Sequence, residues 1–325
     1  MRSEPTGERP DPVRGHDPVR GHDPVRGHDP VRGHDPVRGP DPVRGHDPGA
    51  VARLRELRAF LLDLDGTLVL GDRHNHGLVP LPGAVELVDA LHRDGVGVGI
   101  LTNGTARRPD AQAAVLRRIG FDLADEAVLT PASAAAEVCV AAGHRRVMVL
   151  GGDGVSGPLA AAGIEVLPPA GRPKVDAVLV GWFREFGIDH LEAAANAVWD
   201  GAAFYSASQS LFFASAEGRA IGTSRAICAV VTDLTGVRPI IVGKPSKHAL
   251  RTALHRLGVR PGELAVVGDD PELEVPMALR GGAFAIAVNS GTGHAGSFDQ
   301  LEARRRPHLV VDGADELLDL YLSGA

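Results

Sequence analysis

Two carboxylates one residue apart, Asp63 and Asp65, stand at the end of a short apolar run, in Asp63-Leu64-Asp65-Gly66-Thr67-Leu68. In an extended segment alternate side chains share a side, so Asp63 and Asp65 point the same way and Leu64 points away. Two carboxylates emerging together repel unless a proton or a cation is shared between them. A hard dication that prefers oxygen, such as Mg²⁺, meets that need. Gly66 then allows a sharp turn. Three further groups have a similar placement. Thr102-Asn103-Gly104 follows the apolar run 96–101 and offers a hydroxyl and free backbone N–H groups. Gly243-Lys244-Pro245 follows 240–242 and fixes a lysine in a loop, where its ammonium can reach a phosphate. Gly268-Asp269-Asp270, with Glu274 beyond it, follows 264–267 and adds carboxylates. Singly, each group also reads as an ordinary turn, loop or helix cap. Together, and in this order, they supply a nucleophile, an acid/base, a hydroxyl, a cation and metal ligands.

The elements that must position these residues begin near residue 59, where short apolar runs start to alternate with amphipathic stretches. Strands are expected at 59–64, 96–101, 147–150, 177–180, 204–206, 264–267, 283–288 and 308–311. Helices are expected at 83–93, 108–119, 132–142, 188–199, 223–234 and 247–257. Strands separated by helical patterns of about 10–15 residues predict βαβ units and a mainly parallel sheet. In such sheets ligands bind beyond the carboxyl ends of the strands, at the topological switch point. The four groups above are expected there.

The 325 residues allow about two domains. Apolar residues make up 44% and aromatic residues only 4%, so the core must be built from Ala, Val and Leu, with no aromatic platform for single-stranded nucleic acid. A net charge of −7 and the lack of a dense Lys/Arg block argue against nucleic acid as a partner. No apolar stretch reaches the roughly 20 residues needed to span a bilayer, and no secretory leader is evident, so a cytoplasmic, membrane-free protein is expected. Cys139 and Cys228 fall in apolar helical patterns and read as buried thiols.

Ahead of all this lies a tandem repeat. The hexad Asp-Pro-Val-Arg-Gly-His occurs six times from Asp11 to His46, with Pro40 replacing His once, and Asp47-Pro48 begins a seventh copy. One Val per hexad gives nothing to bury, so residues 1–58 are expected to be a disordered tail. His16, His22, His28, His34 and His46 recur regularly, but flexible histidines six apart are not a preorganised metal site.

The four groups resemble the motifs of the haloacid dehalogenase superfamily, and most closely its type IIA, NagD-like branch of phosphoglycolate and p-nitrophenyl phosphatases. The resemblance runs from about Ala59 to Leu320. It implies an α/β fold: a Rossmann-like parallel-sheet core at 59–142 and 238–325, with a smaller α/β cap inserted at 143–237. It also implies the roles. Asp63 would be the nucleophile that forms an aspartyl-phosphate, and Asp65 the general acid/base. Thr102, Asn103, Gly104 and Lys244 would hold the phosphoryl oxygens. Mg²⁺ would be bound by Asp63, the backbone carbonyl of Asp65, and Asp269, with Asp270 and Glu274 behind them. The expected substrate is a small phosphorylated metabolite, such as a sugar phosphate, phosphoglycolate or a nucleotide. Dehalogenation is not expected, because dehalogenases of this superfamily lack the second carboxylate. A non-catalytic binding protein on the same scaffold, and phosphotransfer to an acceptor other than water, are the alternatives.

The chain departs from the family pattern in places. Glu274 stands where Asp is usual, and Ala207-Ser208-Gln209-Ser210 replaces a Thr-Asn-Pro-Asp-like cap loop, so the substrate cannot be carried over. Residues 71–79, with His74 and His76, read as a solvated flap. The glycine pattern Gly152-Asp153-Gly154-Val155-Ser156-Gly157 imitates a dinucleotide fingerprint, but no acidic residue follows the next strand to hold a ribose. Look-alikes often dimerise through the cap; no residue pattern here establishes a homodimer.

Overall fold

The structure, a computed structural model, describes residues 45–72, 76–215, 218–291 and 296–323. The hexads before residue 45 and His74 lie outside the described residues, so the expectations made for them are not addressed by it.

The tail ends sooner than its composition suggested. Pro48–Leu54 forms α1, with the Asp47 carboxylate accepting the Gly49 N–H at 3.0 Å and Pro48 in the first turn. The Asp-Pro that opens the seventh hexad is thus a helix cap followed by a proline preset for helix. Leu54 and Leu57 are buried, which fixes the segment to the body. His46 Nε2 lies 2.9 Å from Glu316 Oε1.

β1 (Ala59–Asp63) is buried along its whole length. Its even residues Phe60 and Leu62 face one apolar cluster and its odd residues Ala59 and Leu61 face another, the alternation a strand imposes. The antiparallel pair β2 (Val69–Leu70) and β3 (Val79–Pro80) follows, then α2 (Ala84–Arg93), β4 (Gly97–Leu101), α3 (Pro109–Arg118), β5 (Val128–Leu129) and α4 (Pro131–Ala141). The chain then builds a second sheet. It runs through β6 (Arg146–Leu150), α5 (Asp153–Ala161), β7 (Glu165–Leu167), β8 (Ala177–Val180), α6 (Ile188–Trp199) and β9 (Ala203–Ser206). The hairpin β10 (Phe212–Ser215) and β11 (Gly218–Ile221) leads into α7 (Thr223–Thr235) and β12 (Ile240–Ile241). The return to the first sheet comprises α8 (Lys247–Leu257), β13 (Leu264–Gly268), α9 (Glu274–Gly281), β14 (Phe284–Val288), β15 (Leu309–Val311) and α10 (Ala314–Ser323).

Both large sheets are parallel. The first has the order β15-β14-β13-β1-β4-β5 and the second β12-β9-β8-β6-β7. Ile240 and Ile241, expected in the returning core segment, pair instead with Tyr205 and Ser206 of the second sheet. In the first sheet Asp63 is level with Leu101, and Leu62 with Val267. Thr102 and Asp269 therefore each stand at or just past the edge where β1 ends. The chain leaves β1 for β4 on one side and later lays β13 on the other, so this edge is the switch point.

Each buried Leu, Val or Phe side chain contributes about 1.5–3 kcal/mol. Cys139 and Cys228 are free and buried, and burial pushes each thiol up to about 11. Among the described residues no helix is long and apolar enough to cross a membrane.

Candidate active site

Asp63 is buried at the end of β1, and both of its oxygens are engaged. Thr67 Oγ1 donates to Oδ2 at 3.3 Å, and the Lys244 ammonium donates to Oδ1. Lys244 also lies 2.6 Å from Glu274 Oε1. This lysine is 3% exposed and Glu274 is 1% exposed, so one buried cation sits between two buried carboxylates. Burial alone would drive the ammonium to lose its proton; Asp63, and then Glu274, more than offset this and hold its pKa well above the ordinary value. For Glu274, burial pushes the carboxyl upward, Lys244 pulls it back, and Asp63 and Asp269 add to the rise.

Lys244 reaches Asp63 from the second sheet, just past β12, and not from a strand of the sheet that carries Asp63. Asn103 secures it there. The Asn103 Oδ1 accepts the Lys244 backbone N–H at 2.8 Å, and its Nδ2 donates to the Lys244 carbonyl at 3.2 Å. The side chain of Asn103 is therefore committed to the lysine's backbone.

Asp65, two residues past Asp63, is exposed at the end of β1. The protein packed around it, and then the charge of Asp63, push its carboxyl up to about 6. Lys244, a hydrogen bond from Thr102 and the charge of Arg107 oppose the rise. That hydrogen bond runs from Thr102 Oγ1 to Asp65 Oδ2 at 3.4 Å, while the same Oγ1 accepts the Gly104 N–H at 2.9 Å.

Asp269, buried just past β13, meets the turn that follows Asp65. Gly66 has φ +90°, and a Cβ there would lie 2.7 Å from Asp269 Oδ2, too close for any side chain. Ser290 Oγ holds this turn by donating to the Gly66 carbonyl at 2.7 Å. Asp270 is half-buried; its N–H donates to Glu274 Oε2 at 3.3 Å and its Oδ1 accepts the Glu272 N–H at 2.7 Å. Burial raises its pKa.

The residues singled out from sequence thus gather at one sheet edge, with Asp63, Lys244 and Glu274 in direct contact. Glu274, read as lying behind the metal, also meets the lysine. Two residues escaped the sequence reading. Thr67 could have been found as the hydroxyl two residues beyond Asp65 in the same turn; Ser290 gives no signal, since its placement comes only from the packing of the loop after β14.

The donor set suits a hard cation. Asp63 and Asp269 offer carboxylate oxygens and the backbone carbonyl of Asp65 is a third oxygen, while Lys244 meets two carboxylates, those of Asp63 and Glu274. Among the described residues no three Asp, Glu, His or Cys side chains form a cation site by themselves.

Residue 66 offers a direct check. Gly66→Ala forces its methyl group onto the Asp269 carboxylate and strains a positive φ. Affinity for a divalent cation, read as the concentration that half-saturates a thermal shift, should weaken by roughly tenfold or more. Unchanged affinity would separate Asp269 from cation binding.

Residues 60–165 match the family model for haloacid dehalogenase-like hydrolases, and residues 241–317 match a second model of the same kind. The chain belongs to the haloacid dehalogenase-like hydrolases. Within them it is NagD-like. NagD from E. coli K-12 superposes with a TM-score of 0.70 at 25% identity, covering 80% of this chain and 98% of that one. The glycerol phosphate phosphatase of Mycobacterium tuberculosis, solved in complex with magnesium, gives a TM-score of 0.72 at 28% identity over 82% of this chain and 77% of that one. In sequence, the acid sugar phosphatase of Staphylococcus aureus (strain USA300) is 29% identical over 239 residues, 73% of this chain and 88% of its own length. Residues 12–39, in the hexads, match a trappin protein transglutaminase binding domain model. That segment holds neither glutamine nor lysine, the two side chains a transglutaminase joins, so the likeness is one of repeat composition.

Proposed function

We propose that this chain is a magnesium-dependent hydrolase of small phosphomonoesters that works through an aspartyl-phosphate on Asp63. The observation that carries the reading is the buried Lys244 ammonium on Asp63, beside an Asp65 whose pKa is raised to about 6. Relatives named as sugar and glycerol phosphate phosphatases agree with it.

Asp63 Oδ attacks phosphorus while the bond from phosphorus to the ester oxygen breaks. Asp65 gives its proton to that departing oxygen. A carboxyl with a pKa near 6 suits the task, since it is partly protonated near neutrality yet still basic enough for the second step. Water then attacks the phosphorus of the aspartyl-phosphate. Asp65 takes the water's proton, and the Asp63 carboxylate and inorganic phosphate are released. Thr102, the backbone N–H groups of its loop and the Lys244 ammonium offset the charge on the phosphoryl oxygens. Asp63, the Asp65 carbonyl and Asp269 would hold Mg²⁺, with Asp270 and Glu274 supporting them. When bound, the ion neutralises the repulsion between an anionic nucleophile and an anionic substrate. Residues 143–237, most of the second sheet and its helices, would serve as the cap that covers the leaving group.

The test is inorganic phosphate release from a panel of sugar phosphates, glycerol phosphate, phosphoglycolate, nucleoside monophosphates and p-nitrophenyl phosphate, with Mg²⁺ and with a chelator. Mg²⁺-dependent release from at least one alkyl ester is expected. No release from any ester, the activated aryl one included, would favour a binding protein built on this scaffold.

A further inference from the structure

Taking the phosphatase reading as given, the second sheet bears on which ester is chosen. In that sheet β6 lies between β7 and β8, so the crevice between the carboxyl ends of β6 and β8 is a second switch point. The chain fills this crevice with its own loop. Thr105, buried three residues beyond Thr102, accepts the Trp182 N–H on its Oγ1 at 2.9 Å, just past β8. From the β6 side, Gly154 comes so near that a Cβ there would lie 2.3 Å from the Thr105 carbonyl oxygen and 2.7 Å from that of Arg107. The glycine pattern that imitates a dinucleotide fingerprint is thus the seat for the loop after Thr102.

This seat fixes the backbone of Arg107. Its guanidinium is held by Gln112, whose Oε1 accepts from Arg107 Nη1 at 3.4 Å, and Gln112 is itself buried. Arg107 is half-buried, and among the described residues no carboxylate lies within ion-pair distance of it. Its charge is nonetheless felt by Asp65, the group that faces the departing oxygen. The nearby loop of Ala207–Ser210 carries hydroxyls and an amide but no charge, and its Ala207 carbonyl accepts the Gly243 N–H at 3.1 Å, next to Lys244. Arg225 Nη1 donates to the Gln209 carbonyl of that loop at 3.2 Å, whereas Arg107, on the loop that begins at Thr102, has no carboxylate partner among the described residues.

We propose that Arg107 binds an oxygen of the leaving group, and so selects phosphomonoesters whose alcohol carries a hydroxyl or carboxylate close to the ester oxygen. Glycerol phosphate and phosphoglycolate share that feature; ethyl phosphate lacks it.

The experiment measures calorimetric dissociation constants for these three esters with Mg²⁺. It uses the full chain carrying Asp63→Asn, which binds without turnover, alone and combined with Arg107→Met, Arg107→Lys or Arg107→Gln. Alone, Asp63→Asn should bind at least one oxygen-bearing ester roughly tenfold or more tighter than ethyl phosphate, the size of a charge-assisted hydrogen bond. Arg107→Met should bring the two to within about twofold, and Arg107→Lys should restore part of the gap. Arg107→Gln decides the matter if the Met variant does not fold. Tighter glycerol phosphate assigns a hydroxyl, tighter phosphoglycolate a carboxylate. Absence of any preference, or a preference that survives loss of the guanidinium, overturns the proposal. A preference that follows Arg107 in a protein that hydrolyses no ester supports the proposal and counts against the phosphatase reading alone.

Discussion

Asp63→Asn is expected to lower kcat by at least about four orders of magnitude, the scale seen when an activated nucleophile is removed. Asparagine keeps the size of the side chain and one oxygen, but its amide does not attack phosphorus. The fold should survive. Lys244 retains Glu274 as an anionic partner, and Thr67 can still donate to the remaining oxygen. The thermal midpoint should therefore stay close to that of the unsubstituted protein while phosphate release disappears. Acid-quenched mixing with labelled substrate should show a phosphorylated protein in the unsubstituted chain and none in the variant. Activity within tenfold of the parent would mean that Asp63 is not the nucleophile.

Lys244→Met is expected to damage both catalysis and stability. The ammonium contacts Asp63 and Glu274, all three nearly without solvent access. Its removal leaves buried carboxylates facing one another without a countercharge, and breaking a buried pair in this way costs about 3–5 kcal/mol. The loss should depend on pH in a defined sense. Burial already raises the Glu274 carboxyl, and Lys244 is what pulls it back down. Without the lysine, the folded-state pKa of Glu274 climbs further above its unfolded value of about 4.3. The folded variant then binds more protons than the unfolded one, so its stability is greatest below that value and declines as pH rises through the folded pKa. Urea unfolding without divalent cation should show a gap between variant and parent that is large at pH 8 and smaller at pH 5. A gap independent of pH would sink this electrostatic account. With substrate and Mg²⁺, kcat should fall by roughly a hundredfold or more, because the same ammonium would offset the transferring phosphoryl charge.

Much of the first sheet is legible in the sequence. The run from Ala59 to Asp63 is apolar on both faces, as a central parallel strand must be, and it forms β1. The helix Lys247–Leu257 has its expected bounds because Ser246 caps it and Gly258 ends it in a left-handed conformation. Where the reading fell short, local pattern was weak or misleading. The helix Pro48–Leu54 begins inside a hexad copy, so the repeat masked a cap and a proline that belong to the body. Ile240–Ile241 is a two-residue strand, too short for periodicity to say which sheet it joins.

Residue types and their order determined that this chain has a doubly wound scaffold and a set of acids, hydroxyl and lysine suited to phosphoryl chemistry, because strand alternation and glycine turns act over a few neighbouring residues. Only the tertiary structure decided that Lys244 arrives from the second sheet, that Glu274 shares it with Asp63, and that Gly154 seats the Thr105–Arg107 loop. Those outcomes depend on which distant segments pack against one another. Packing energy is set by burial and by charge neutralisation in three dimensions, and neither is encoded in the spacing along the chain.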